Sequence, residues 1–405
     1  MKILKRVTAV LLTAVVAVSF TACGGRSEHA KKLNIDTAVS INIWYQDDAY
    51  TSYLDYIAQQ FHKANEFITV NPVKVEENNL LDAVYNGSIA QNNVADVYLM
   101  EASDMQRAYL MGLTAENDAY TQYYSQKHFP VTAVNAACYE GKLYGYPVTF
   151  HTAVMVYNKQ YATAPENFEQ IEAFLNSYQV TDENKDVNMI VGWDTQDLWT
   201  NYAFGGSYVD NGGAQGEDAE SDVQTEALKA AMTEYAALQN TFGIVDKTQE
   251  EYKQMFINNQ IIYTILDSTQ LADLNASGVD YGICAVPGAK TGFGTQSLSD
   301  TTLAMVNPYS ENTDTAKAVA QAISYDYADL LEKDTGYISA RTDVADKNKK
   351  VLYQPLYEVY AKSDSYAKYI GADEFYVRYS ILLHNIWKGE DLNESVDAFI
   401  KAVSR

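Results

Sequence analysis

The chain has 405 residues, 47% of them hydrophobic and 20% charged, which marks a globular protein and excludes a disordered one. Its 53 acidic residues against 29 basic ones give a formal charge of −24, a surface that repels nucleic acid and anionic headgroups, so no nucleic-acid partner is expected. A single apolar core rarely grows to this size, so two lobes are expected.

The first element is a segment with Lys2, Lys5 and Arg6, an apolar run from Val7 to Phe20, and Thr21-Ala22 before Cys23. That is the layout of a secretory signal. The cysteine following small residues resembles a bacterial lipobox, with Phe20 where Leu or Val is usual. A signal peptide is expected over residues 1–22, lipidation at Cys23, and a polar flexible tether over residues 23–38. The apolar run is too short for a bilayer span of roughly 20 residues, whereas two or more acyl chains give stable anchoring. The mature chain is therefore expected as a monomer on the extracellular face of the cell membrane, held by its lipid alone.

Val39–Gln46 has the alternation of a strand, and Ser52–Ala64 places Leu54, Ile57, Ala58 and Phe61 at helical spacing. Phe67–Val75 and Ala95–Met100 read as strands, and Asn79–Ile89 and Asp104–Leu110 as helices, the last ended by Gly112. This alternation predicts a mainly parallel sheet flanked by helices, with ligands gathering at the carboxyl ends of its strands. Lys142–Lys159 is a long extended stretch broken by Pro147, suited to crossing between lobes. Further strands are expected at Met189–Trp193, Ile261–Leu266, Tyr281–Val286 and Thr301–Val306. Helices are expected near Phe168–Tyr178, Leu198–Phe204, Thr225–Thr241, Thr315–Leu331, Phe375–Trp387 and Asn393–Val403, with capping-box spacing at Thr248–Glu251.

No G-x-S-x-G, H-E-x-x-H or Walker-type motif occurs, and the five histidines have no metal-ligand spacing. Neither catalytic residues nor a metal or cofactor are expected. Cys138 and Cys284 lie among apolar or small residues and read as buried thiols, although an oxidising compartment permits pairing. The 33 tyrosines suit half-buried packing, and a carbohydrate site would also recruit them.

Five segments in order, SINIWYQDD, ADVYLMEASDMQRAYLMGLTAEN, GKLYGYPVTFHTAVMVYNKQ, WDTQDLWTNYAFGGSY and QMFINNQIIYTILDST followed by VDYGICAVPG, resemble the solute-binding proteins of ABC importers, in particular the maltose/maltodextrin-binding group. The resemblance implies an α/β, two-lobed periplasmic-binding-protein-like fold with mixed sheets flanked by helices. Three crossings would fall near Phe150, Leu303 and Ser339–Thr342. Lobe 1 would then span residues 39–149 plus 303–340, and lobe 2 residues 150–302 plus 341–405. It implies a carbohydrate ligand in the interlobe cleft and a membrane permease as partner. Three departures stand out: Asp267-Ser268-Thr269 replaces a Gly-x-Trp, Met100 stands where maltodextrin binders keep a tryptophan, and His151 replaces a carboxylate.

On this resemblance Asp47 and Asp48 form the first ligand loop, and Glu101 and Asp104 the second, with Asp104 also able to cap a helix. Phe150 and His151 lie at the crossing. Trp193, Asp194 and Asp197 form a polar-aromatic cluster, with Trp193 stacking on the ligand. Asp267, Ser268 and Thr269 line the cleft, and Phe375 and Tyr376 add an aromatic pair. Sugars need carboxylates or amides for their hydroxyls and aromatic faces for their rings. The acidic loops also leave open a polyamine or other non-sugar solute.

Overall fold

The computed structural model describes residues 32–76, 79–92, 94–212, 222–344, 349–369 and 371–403; the expected signal peptide and Cys23 lie outside the described residues. Strand β1 (Val39–Tyr45) leads into α1 (Thr51–Ala64), followed by β2 (Ile68–Lys74), α2 (Leu80–Ala90), β3 (Val97–Glu101) and α3 (Met105–Leu110). β1 pairs in parallel with both β2 and β3, because each return passes through a helix. Helix α1 buries Tyr53, Leu54, Ile57 and Phe61, and Asn79 caps α2 by accepting from the Asp82 amide. Gly112 takes φ +70°, the left-handed turn that ends α3.

After α4 (Val131–Ala137) comes the 13-residue strand β4 (Tyr146–Asn158), buried along nearly its whole length. The chain continues through α5 (Phe168–Ser177), β5 (Met189–Trp193), α6 (Leu198–Gly206), α7 (Thr225–Phe242), α8 (Gln249–Ile257), β6 (Ile261–Asp267), α9 (Leu271–Ser277), β7 (Tyr281–Cys284) and β8 (Leu298–Val306). It ends in α10 (Thr313–Gln321), α11 (Ala328–Thr335), α12 (Lys350–Lys362), β9 (Asp364–Ser365), α13 (Ala372–Lys388) and α14 (Leu392–Val403). The strand order is β2-β1-β3-β8-β4-β6-β5, with β7 on β4 and β9 on β8.

β4 is the hub of this mixed sheet. Through Thr152 it pairs antiparallel with β8, and from Ala153 onward with β6. Two large apolar clusters pack against this sheet, the first running across the change of partner from Val148 and Phe150 to Val154 and Val156. The first gathers Ile41, Tyr53, Phe61 and Val97 around β1, α1 and β3; the second gathers Trp193, Phe204, Tyr235 and Trp387 around β5, α6, α7 and α13. The result is a two-lobed α/β fold.

Two expected elements take other bounds, and α4, α9 and α12 form where no helix was expected. β8 starts at Leu298 and not at Thr301, because Leu298 and Ser299 pair with Asp364 and Ser365, a partner distant in sequence. The helix expected over Thr315–Leu331 is broken by a π turn at Ala322–Asp326. Cys138 and Cys284 are both free thiols. Lys368, almost fully buried, donates its Nζ to the backbone carbonyls of Asn135, Ala136 and Cys138. It thereby ties the segment after β9 to the C-terminus of α4.

Candidate ligand-binding cleft

β1 and β3 run parallel, so the loops leaving their carboxyl ends meet on one edge of the sheet, where such sheets hold ligands. A cavity of about 460 Å³ opens there. Asp47 and Tyr50 follow β1 into its wall, and Glu101 and Asp104 follow β3. β4 contributes Thr149, Phe150 and His151, and the remaining wall includes Thr269, Thr302 and Tyr337.

Asp47 caps a one-turn helix by accepting from the Ala49 amide at 2.9 Å, and its other oxygen accepts from the Tyr337 hydroxyl at 2.6 Å. The Tyr337 ring lies 5.7 Å from that of Tyr50, whose hydroxyl shares a 2.5 Å hydrogen bond with Thr149 Oγ1. The partly exposed Tyr337 ring is thus fixed at one rim, with Tyr50 buried behind it.

Glu101 Oε1 accepts from the Thr302 hydroxyl at 2.9 Å. Its Oε2 is shielded from solvent and has no donor. Burial, reinforced by the charge of Asp300, pushes this carboxyl up to about 7. Asp104 stands at the N-cap of α3 yet caps no amide with its side chain, and burial raises its pKa as well. Asp300 is buried on β8 directly opposite His151 and accepts from the Thr301 amide at 2.7 Å; burial raises it too.

His151 Nδ1 lies 2.9 Å from Asp267 Oδ2. Burial pulls the imidazole pKa down, but Asp267, Glu101 and Asp300 together outweigh it and raise it to about 9, so His151 is an imidazolium at neutral pH. Despite its burial, Asp267 is held below the usual carboxylate range by His151 and by donors from Thr269. The Trp199 ring rests 4.4 Å from the imidazole. The cleft is therefore a pocket of carboxylates with one buried cation and several aromatic rings. Among the described residues no group of three His, Cys, Asp or Glu side chains could hold a metal ion.

Of the residues expected from sequence, the cavity brings together Asp47, Glu101, Asp104, Phe150, His151 and Thr269. Asp267 stands behind His151, and Ser268 is buried, accepting from the Thr152 amide. The other expectations need correction. Asp48 points outward to Lys74 at 2.8 Å. Asp194 and Asp197 hold local backbone instead: Asp197 caps α6 through the Thr200 amide, and Asp194 accepts from the Gln196 amide. Trp193 is fully buried between Phe168, Phe204 and Trp387, with Nε1 donating to Asn201, so no ring face is left for stacking. Phe375 and Tyr376 are likewise core, the latter stacked on Tyr366 at 3.8 Å. Sequence reasoning missed Tyr50, Tyr337, Thr302 and Asp300. Only Asp300 left a signal, as a lone charge in the otherwise uncharged strand LSDTTLAMV.

The profile of the bacterial extracellular solute-binding protein family matches residues 56–357. The maltodextrin-binding protein MdxE of Bacillus subtilis (strain 168) is 22% identical over 303 residues, covering 71% of this chain and 69% of that protein. Among solved structures, a cyclo/maltodextrin-binding protein complexed with maltotetraose superposes with TM-score 0.75 at 15% identity, over 92% of this chain and 98% of that one. An extracellular solute-binding protein from Staphylococcus aureus in complex with maltose gives 0.73 at 18% identity, over 91% and 98%. The maltodextrin-binding protein MalE1 from L. casei, without ligand, gives 0.74 at 16%, over 91% and 100%.

Proposed function

The chain belongs to the bacterial extracellular solute-binding protein family, and on that premise we propose that it captures a sugar or oligosaccharide between its lobes and delivers it to the permease of an ABC importer. The observation that carries this reading is the 460 Å³ cavity, in which carboxylates and tyrosine faces converge at strand ends. That combination suits a ligand with hydroxyl edges and apolar ring faces. Relatives of this fold bind maltose and maltotetraose. Asp47, Glu101, Asp104, His151 and Thr269 are the proposed ligand contacts, with Tyr337 supplying a ring face and the buried Tyr50 and Phe150 backing the wall.

The lobe division proposed is residues 39–149 plus 303–340 against residues 150–302 plus 341–405, hinged where β4 changes partners. A ligand touching both walls binds the closed form more tightly and shifts the population toward it. The protein acts as a receptor and not as an enzyme. Among the described residues no helix is long and apolar enough to cross a membrane, and the anchor proposed is a lipid on Cys23. Titrating a glycan panel while recording tryptophan emission and melting temperature tests the reading, because Trp199 sits against His151 at the cleft. A saturable change with at least one glycan is expected. Silence across the whole panel would overturn it.

A further inference from the structure

The charge balance of the cleft goes further than sugar binding requires. Asp47, Glu101 and Asp104 line the cavity, with Asp267 and Asp300 directly behind it. Among the described lining residues the cations are His151 and Arg107. His151 is committed to Asp267, and Arg107 to Asp82 at 2.8 Å. Glu101 Oε2 is buried without a donor, and neither Asp104 oxygen has a protein hydrogen bond at the N-cap it occupies. Neutral hydroxyls could satisfy such oxygens as acceptors but would leave the negative charge uncompensated in a shielded pocket, which is costly.

Resting on the sugar reading above, we propose that the ligand carries a cationic nitrogen, as in an amino sugar or an oligosaccharide of amino sugars, seated against Glu101 and Asp104. Seated there, the ammonium balances the carboxylates that His151 and Arg107 leave uncompensated. The hydroxyls and ring faces remain for Asp47, Thr269 and the tyrosine rim. The groups facing Glu101 are Thr302 and Asp300 on β8, His151 on β4, Asp104 on its own turn, and the hydroxyls of Tyr50, Tyr337 and Tyr360; of these the His151 imidazolium alone opposes a second cation, and it is drawn to Asp267. Below about pH 7 Glu101 holds a proton in the free protein, and a ligand arriving as an ammonium displaces it, whereas a neutral sugar does not.

The test is calorimetric titration at about pH 5.5, where a glucosamine amine is already an ammonium and Glu101 still holds its proton, with three matched probes: a glucosamine trisaccharide, its fully N-acetylated counterpart, and spermidine. Repeating it in two buffers of different ionisation enthalpy measures proton release. The expected result is that the glucosamine trimer binds at least about tenfold more tightly than its acetylated form and releases protons on binding. Glu101→Gln is expected to narrow that preference. Should the variant fail to fold, proton release by the unaltered protein still decides. Equal or inverted affinities for the two trimers, or binding of the amine without proton release, overturns the proposal while leaving the sugar reading intact. Binding of spermidine alone overturns both.

Discussion

Replacing Asp267 with Asn tests whether the cleft holds a buried imidazolium. The substitution keeps an oxygen able to accept from His151 Nδ1 but removes the charge. The rise of His151 from 6.5 to about 9 corresponds to about 3 kcal/mol of folded-state preference for the protonated ring. The side chain is 23% exposed, so solvent screening trims this figure only modestly. The sign follows from linkage: a base whose pKa is raised by folding adds stability that is complete below about pH 6.5 and lost as pH climbs through about 9. Asp267 itself, held low, contributes stability that is fully present above the carboxylate range and lost only below it, so its share is constant over that window. Urea unfolding at pH 6 and at pH 9.5 should therefore show the unaltered protein losing up to about 3 kcal/mol more than Asp267→Asn. Glu101, raised by burial, loses stability between about pH 4.5 and 7 in both proteins, and its share cancels in the comparison. NMR titration of the imidazole resonances reads His151 directly, assigned by its disappearance in His151→Gln. A ring titrating near 6.5, or parallel losses in the two proteins, would refute the buried ion pair.

The two aspartates after β1 should separate cleanly in calorimetry with any glycan that binds. Asp47→Ala should weaken binding by about tenfold or more, since the Tyr337 hydroxyl and the turn lose their acceptor, while Asp48→Ala should change it less than about twofold, its partner being surface Lys74. Lys368→Met should cost about 3–5 kcal/mol in urea unfolding, because charge-assisted bonds to three backbone carbonyls vanish together; a loss under about 1 kcal/mol would mean that those carbonyls find other donors. Gly206→Ala should lower stability by about 1–3 kcal/mol by calorimetry, since a Cβ there would stand 2.4 Å from the Gln296 carbonyl oxygen. An unchanged melting curve would mean that the Gln296 segment yields without cost.

Secondary structure was legible where a single physical signal dominated. The strand Met189–Trp193 and the capping box at Thr248 stand where periodicity and spacing put them. The loops after β1 and β3 were legible as neighbours on one cavity, because strand direction alone brings them together. What failed was the direction of individual side chains. Asp48 opens the one-turn helix that Asp47 caps and turns outward to Lys74, and the tryptophan ending β5 faces the core because α6, α7 and α13 all cover it. Asp194 and Asp197 had the composition of a binding cluster, but carboxylates just before a helix satisfy its free amides first. The tyrosine rim left no local trace, since Tyr50 and Tyr337 are two among 33.

The contacts that define the cleft share one property. Asp47 is held by Tyr337, Glu101 by Thr302 and His151 by Asp267, pairs separated by 290, 201 and 116 residues. No short segment can build any one of them, so the charge pattern of the site exists only in the assembled chain. Asp47, Glu101 and Thr302 stand on the sheet edge formed by β1, β3 and β8, whereas Asp267 and Thr269 follow β6, beyond the point where β4 changes partners. His151 lies between the two groups, bonded to Asp267 and facing Asp300 across the ladder. A relative movement of the two groups therefore changes the distances from His151 to the carboxylates on either side, and with them its proton affinity. If the lobes close on a ligand, the His151 resonance should shift its titration midpoint between the free and the bound protein. A midpoint indifferent to a saturating ligand would mean that the walls do not move with respect to one another.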